Sequence, residues 1–290
     1  MHVGLGLPID DTLSLLDWAR RADAGPFRTL GLLDRLAYHN PEPLVALAAI
    51  AGATSRIRVQ TEVLVAPLRE TPLLAKQAAT LDRVSGGRFT LGLGLGGHTG
   101  DYDVAGADVT RRGRRLDEQM ADLRRIWSGA DGPAVGPAPH VGPAPHAGPA
   151  PHAGPAPHAG PEVLFGAFKP AALARVARWG DGLLCAAPLP WAGRLFTTVE
   201  ESWRQAGRPG RPRLVAQVNV AIGPQETIDD ARRALIAYYG TTDMADRMLT
   251  TPGQVRDTLA GFADLGADET MLYCWSGDPD QVGRLTDITG

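Results

Sequence analysis

The chain has 290 residues, 44% of them hydrophobic and 21% charged, with a formal net charge of −3, proportions that suit a globular protein able to bury a core without disulfides. The near-neutral balance and the lack of a basic stretch interleaved with aromatics argue against nucleic acid as a partner. No run of about 18 apolar residues argues for a membrane span, and the opening MHVGLGLPIDD lacks the basic start and long apolar stretch of a secretory leader, so a cytoplasmic location is expected.

Short apolar runs alternate with helical patterns along the chain. Residues 2–7 (HVGLGL) precede a helical stretch over 12–24, residues 27–34 (FRTLGLLD) precede 41–55, and residues 56–65 (RIRVQTEVLV) precede 71–85. Residues 88–95 (RFTLGLGL) lead through a loop to a helix over 112–128, where Leu116, Met120, Leu123 and Trp127 recur at helical spacing. The rhythm then breaks and resumes: 162–167 precede 169–180, 182–187 precede 191–206, 213–223 precede helical patterns over 225–240 and 252–265, and 269–275 precede a short final helix. Strict alternation implies a parallel sheet, and eight such units imply a closed (β/α)₈ TIM barrel. The strand runs are continuously apolar, as strands covered on both faces should be. An open doubly wound sheet is the alternative arrangement.

The interruption spans 132–161. GPAPH begins at Gly136, Gly142, Gly148 and Gly154, and the segment carries His140, His146, His152 and His158. It has no apolar face to bury, and its proline density predicts an extended or disordered low-complexity linker within a single barrel domain over 1–290. The segment joins a helix to the next strand, a connection that lies opposite the active face of a barrel, so it is expected to be dispensable for chemistry. A metal-binding tract is disfavoured because no acidic or thiol ligand accompanies the histidines. Cys185 and Cys274 lie inside apolar runs and read as reduced, buried thiols. No metal site is expected.

Chemistry concentrates in residues 81–118. Gly92, Gly94 and Gly97 form a G-x-G-x-x-G pattern, but a dinucleotide site would need the first strand, an immediate helix and an acidic residue about 20 positions on. Tight packing of a glycine-rich barrel strand is the plainer reading. The order of the surrounding features is more specific. Leu81, Asp82, Ser85, Gly86, Gly87, Arg88 and Phe89 lead into Gly92, Gly94 and Gly96. Tyr102 and Gly106 follow, then Arg112, Gly113, Arg115, Leu116, Asp117 and Glu118. Together with TEVLVAPLRETPLLAKQAATLD upstream, a strand-ending Asp34 and the later FGAF and WGDGL, this order resembles the bacterial luciferase-like family of flavin-dependent oxidoreductases. The resemblance covers most of the chain outside 130–161.

The resemblance implies a luciferase-like barrel holding FMN or a deazaflavin (coenzyme F-420) in the mouth formed by the strand C-termini. It implies a cis peptide at Glu62–Val63, behind the cofactor ring, with Asp34, Gly94, Leu95, Gly96 and Gly97 around the same pocket. The cofactor phosphate is expected at Gly166, Ala167, Phe168 and Lys169, where a helix N-terminus and a cation meet an anion. Relatives often carry a second glycine and a serine there; this chain has Ala167 and Lys169. Arg35 stands where many relatives have histidine. It can bind an anionic substrate but cannot serve as an acid or base at neutral pH. His39 is a nearby substitute, and His98, after the glycine-rich strand, is the preferred acid/base residue.

The leading functional expectation is monooxygenation of a small organic substrate by reduced FMN and oxygen, with a separate flavin reductase and a homodimer as implied partners. A deazaflavin-dependent dehydrogenase or reductase is the alternative, and a non-catalytic flavin-binding protein of the same fold is a third. A Schiff-base aldolase needs a lysine at a strand end; the two lysines, Lys76 and Lys169, fall inside a helical pattern and at a helix start.

Overall fold

The computed structural model describes residues 1–7, 14–129 and 160–290. The GPAPH repeat lies outside the described residues, as does the beginning of the first helical stretch.

The strands are β1 (His2–Gly6), β2 (Thr29–Leu32), β3 (Arg58–Thr61), β4 (Leu64–Val65), β5 (Phe89–Gly94), β6 (Glu162–Gly166), β7 (Gly182–Cys185), β8 (Arg213–Val220) and β9 (Glu269–Cys274). They hydrogen-bond in the order β3-β2-β1-β9-β8-β7-β6-β5-β4, and β3 also pairs with β5, so the sheet closes on itself. The pairings are parallel. β3 and β4 are halves of the single run expected over 56–65, divided at the Glu62–Val63 bond, which is cis. Counted as one stave, they make the barrel eight-stranded, as the alternation predicts.

The helices are α1 (Leu15–Ala24), α2 (Pro43–Ala53), α3 (Thr71–Val84), α4 (Thr99–Ala105), α5 (Arg112–Ser128), α6 (Pro170–Trp179), α7 (Leu189–Gln205), α8 (Gln225–Tyr239), α9 (Asp243–Asp246), α10 (Pro252–Asp264) and α11 (Gln281–Thr289). The short α4 and the α8–α9 pair are additions to the loops leaving β5 and β8; the others contact one another around the barrel. Their apolar stripes face the staves: Leu116, Met120, Leu123 and Trp127 of α5 are buried as their spacing predicts. None of the described helices is long and apolar enough to cross a membrane.

Inside the barrel the two-residue period of each strand builds layers. Near the strand N-termini the layer is ionic. Arg213 donates to Glu162 at 2.6 Å and to Glu269 at 2.5 Å, and Arg58 donates to Thr90 at 2.8 Å. Burial opposes ionisation of Glu162, but Arg213 and Arg58 beside it hold its carboxyl down at about 2. Above this layer Leu164, Leu184, Val215 and Met271 pack with Val63 into an apolar plug. The plug floors the space at the strand C-termini.

Candidate active site

A cavity of about 430 Å³ opens at the C-terminal ends of the strands, within the range of small-ligand sites. Segments leaving four staves line it: Leu33 to Arg35, Glu62 with Val63 and Val65, Gly94 to His98, and Gly166 to Lys169. Leu184, Ala186, Gln217, Arg112 of α5, and Tyr238 and Tyr239 of α8 complete the wall. Residues expected at the mouth from four separate stretches therefore share one space, because in a parallel barrel the residue after each strand emerges on the same face.

The back of the cavity is built around Val63. A Cβ on Gly94 would fall 2.2 Å from Val63 Cγ2, and one on Gly166 would fall 2.9 Å from Val63 Cγ1. The two glycines let neighbouring staves close on the valine, and the result is an apolar wall shared with Leu184. Gly96 adopts a left-handed backbone with φ of 68° and closes similarly on Val65. The glycine-rich strand thus shapes the wall by packing.

Glu62 is 4% exposed and lines the cavity. Gln60 Nε2 donates to its Oε1 at 2.5 Å, while Oε2 has no protein partner. Burial pushes the carboxyl up to about 8 against the Gln60 hydrogen bond; Glu269 adds to the rise and Arg213 opposes it.

Asp34 also borders the cavity, but its oxygens are taken. Arg69 donates to Oδ2 at 2.5 Å and to Oδ1 at 3.0 Å, and the Val65 N–H donates to Oδ2 at 2.7 Å. The carboxylate fastens the turn after β4, leaving little capacity for a ligand. Arg35 turns the other way. Its Nε donates at 2.7 Å to Asp101 of α4, and its guanidinium lies 5.5 Å from the Tyr38 ring centre and 5.2 Å from that of Tyr238. His98 meets Tyr238 edge-on at 5.3 Å. Burial, then the positive charge of Arg35, lower the His98 pKa, with Asp101 opposing, so its imidazole is neutral at neutral pH.

His39 does not reach the cavity. The N–H groups of Leu36 and Ala37 donate to Asp101 Oδ1 at 3.1 and 2.8 Å, which ties the loop down at that point. The chain then runs outward, leaving His39 exposed against Tyr38. Of the two candidate acid/base residues, His98 lines the cavity and His39 does not.

Two further basic residues, Lys169 and Arg112, line the cavity. Lys169 precedes α6 and Arg112 begins α5. Pro170 contributes no N–H, and the N–H groups of Ala172 and Leu173 return to the Lys169 carbonyl, each at 2.9 Å. Phe168 is 54% exposed at the rim. Sequence reasoning missed Asp101, Arg69, Gln217, Tyr238 and Tyr239 as parts of the site, and quoted Arg112 without a role. The Tyr238–Tyr239–Gly240 end of a helical pattern was the one local signal; the rest arrive from distant segments. Among the described residues no group of three or more His, Cys, Asp or Glu side chains is placed to hold a metal ion.

A family profile described as luciferase-like monooxygenase matches residues 4–285. The chain is 32% identical over 177 residues to an uncharacterized protein of Mycobacterium tuberculosis, an alignment covering 60% of each; the chain thus spans 60% of the length of that curated relative. It is 33% identical over 91 residues to the oxygenase component of a flavin-dependent trigonelline monooxygenase of Acinetobacter baylyi, covering 31% of this chain and 25% of that one. Among solved structures, the monooxygenase RslO1 of Streptomyces bottropensis superposes with a TM-score of 0.77 at 20% identity, over 99% of this chain and 97% of that one. A coenzyme F-420-dependent secondary alcohol dehydrogenase superposes with a TM-score of 0.79 at 16% identity, over 99% and 98%.

Proposed function

The chain belongs to the luciferase-like monooxygenase family, and from that premise we propose that it is a flavin-dependent oxidoreductase using reduced FMN and molecular oxygen on a small organic substrate. The observation that carries this reading is the pairing of an apolar wall, Val63 and Leu184, with two basic residues, Lys169 and Arg112, in one cavity. An extended ring bearing a phosphate suits that donor set: the wall would take the ring and the cations the phosphate. Glu62, whose buried Oε2 has no protein partner, adds a carboxyl to the lining of the same space.

When bound, the cofactor supplies the redox chemistry, by activating oxygen or by exchanging hydride. The chain's own residues orient reactants and manage protons. His98, neutral at neutral pH, accepts a proton from the substrate. Arg35, fixed by Asp101, holds a polar or anionic substrate group beside Tyr238. The Tyr238 and Tyr239 rings narrow the mouth and exclude water.

A second reading is hydride transfer with coenzyme F-420, as a dehydrogenase or reductase, favoured by the likeness in fold to the alcohol dehydrogenase. In the oxygenase reading a separate flavin reductase provides the reduced flavin, as the oxygenase-component relative suggests. A homodimer suits the outward face of α2, where Val45, Ala48, Ala49 and Gly52 are exposed.

Titration with FMN, riboflavin and coenzyme F-420, followed by fluorescence quenching, tests the proposal. We expect saturable FMN binding that R112A/K169A weakens by roughly tenfold, about 1.4 kcal/mol, while riboflavin binding changes much less. Preference for coenzyme F-420 over FMN would move the protein to the second reading. No saturable binding of either would refute both.

A further inference from the structure

Glu62 has a position in the cavity that wall-building does not explain. Arg58, Gln60 and Glu62 follow one another at the two-residue period that points side chains to one side of a strand. Arg58 belongs to the ionic layer, Gln60 stands between, and Glu62 reaches the cavity. Gly31 of β2, paired with Gln60, makes the room: a Cβ there would lie 2.4 Å from Glu62 Cδ and 2.7 Å from each carboxyl oxygen.

Burial favours the uncharged form of this carboxyl, and the groups around it offset that only in part. Gln60 supplies one donor for two oxygens. Glu269 brings a second carboxylate to the same lumen. Arg213, the cation that acts on Glu62, is already bonded to Glu162 and Glu269. At the cavity mouth Arg35 is bonded to Asp101, and His98 is neutral. A buried carboxylate so poorly matched is costly, whereas a carboxylic acid needs only an acceptor for its hydroxyl.

We infer that Glu62 is kept as a neutral carboxylic acid and is a catalytic acid of this site, donating its carboxyl proton to an anionic atom of the group that reacts against the Val63 wall. The inference rests on the cavity being the redox site proposed above. In the transfer the Glu62 O–H bond breaks, its electron pair stays on the carboxyl oxygen, and the proton forms a new bond to an oxygen or nitrogen of the ligand. The resulting carboxylate recovers a proton from water entering by the mouth as product leaves.

Isotope-edited infrared spectroscopy on protein labelled with ¹³C-glutamate tests this. At a pH of about 6 without cofactor, a carboxylic-acid carbonyl band is expected in wild type and not in Glu62→Gln, and it should disappear as the pH is raised to about 10. Gln60→Leu, which removes the hydrogen bond favouring the charged form, should move the midpoint upward; an unchanged or lower midpoint would overturn the assignment even if Glu62→Gln failed to fold. Reduction of bound FMN to its anionic form should diminish the band, and a band indifferent to reduced flavin would overturn the donor role. Absence of the acid band at the lower pH overturns the inference whatever the flavin does. Absence of flavin binding with the band present overturns the cofactor reading instead.

Discussion

Replacing Asp101 tests how the mouth of the cavity is held. Its side chain is 1% exposed and accepts from Arg35 Nε, Leu36 N and Ala37 N. The Arg35 side chain is itself only 10% exposed, so Asp101→Ala leaves a nearly buried guanidinium unpaired. Breaking such a pair costs about 3–5 kcal/mol, and the two N–H groups, on exposed residues, are recovered by water and add little. Asp101→Asn keeps a neutral acceptor and should cost less, about 1.5–3 kcal/mol for the lost charged hydrogen bond. Urea denaturation gives the free energies. In both variants His98, followed by proton NMR against pH, should titrate lower than in wild type, because Asp101 opposes the lowering by Arg35. The folded state resists protonating His98, so wild type loses stability as pH falls through the unfolded value of 6.5. The variants lose it over a wider window. A cost below about 0.5 kcal/mol, or an upward shift of His98, would refute the tether.

Gly94→Ala should lower stability by about 1–3 kcal/mol through overpacking against Val63, seen as a fall in Tm by calorimetry. Glu62, raised from 4.5 to about 8, should make wild type lose stability relative to Glu62→Gln as pH rises between those values, since the unfolded chain releases a proton the folded chain keeps; a constant difference from pH 5 to pH 8 in urea denaturation would contradict this. Replacing residues 134–160 by a short Gly/Ser linker should leave FMN affinity within about threefold, under 1 kcal/mol, because α5 ends and β6 begins at the face opposite the strand C-termini that carry the cavity. Val45→Glu should shift the sedimentation coefficient of a dimer to that of a monomer if α2 forms the contact.

The alternation of apolar runs with amphipathic patterns was enough to locate the eight staves and to name the barrel. A parallel stave must be apolar on both faces and its helix on one, and these are short-period signals that a linear reading detects. The chain direction also identified the cavity face, because residues that follow a strand emerge at its C-terminal end. The division of 56–65 at Glu62–Val63 was marked by family resemblance, not by any local pattern in TEVLVAP.

The fate of individual side chains was decided by closure of the barrel. Asp34 and Arg35 are neighbours in sequence, yet one is bonded 35 residues away to Arg69 and the other 66 residues away to Asp101. His39 and His98 are equivalent as letters. Two backbone hydrogen bonds to Asp101 precede the turn that leaves His39 outside, while His98 follows β5 directly and meets Tyr238. Arg112, Tyr238 and Tyr239 join the cavity from segments separated by more than 100 residues, a proximity no periodicity encodes. The sequence alone therefore determined the fold, its direction and the strand ends that border the cavity. The charge state of Glu62 was left to the tertiary structure, because it depends on how much water is excluded and which donors reach the carboxyl, and both are properties of the assembled lumen.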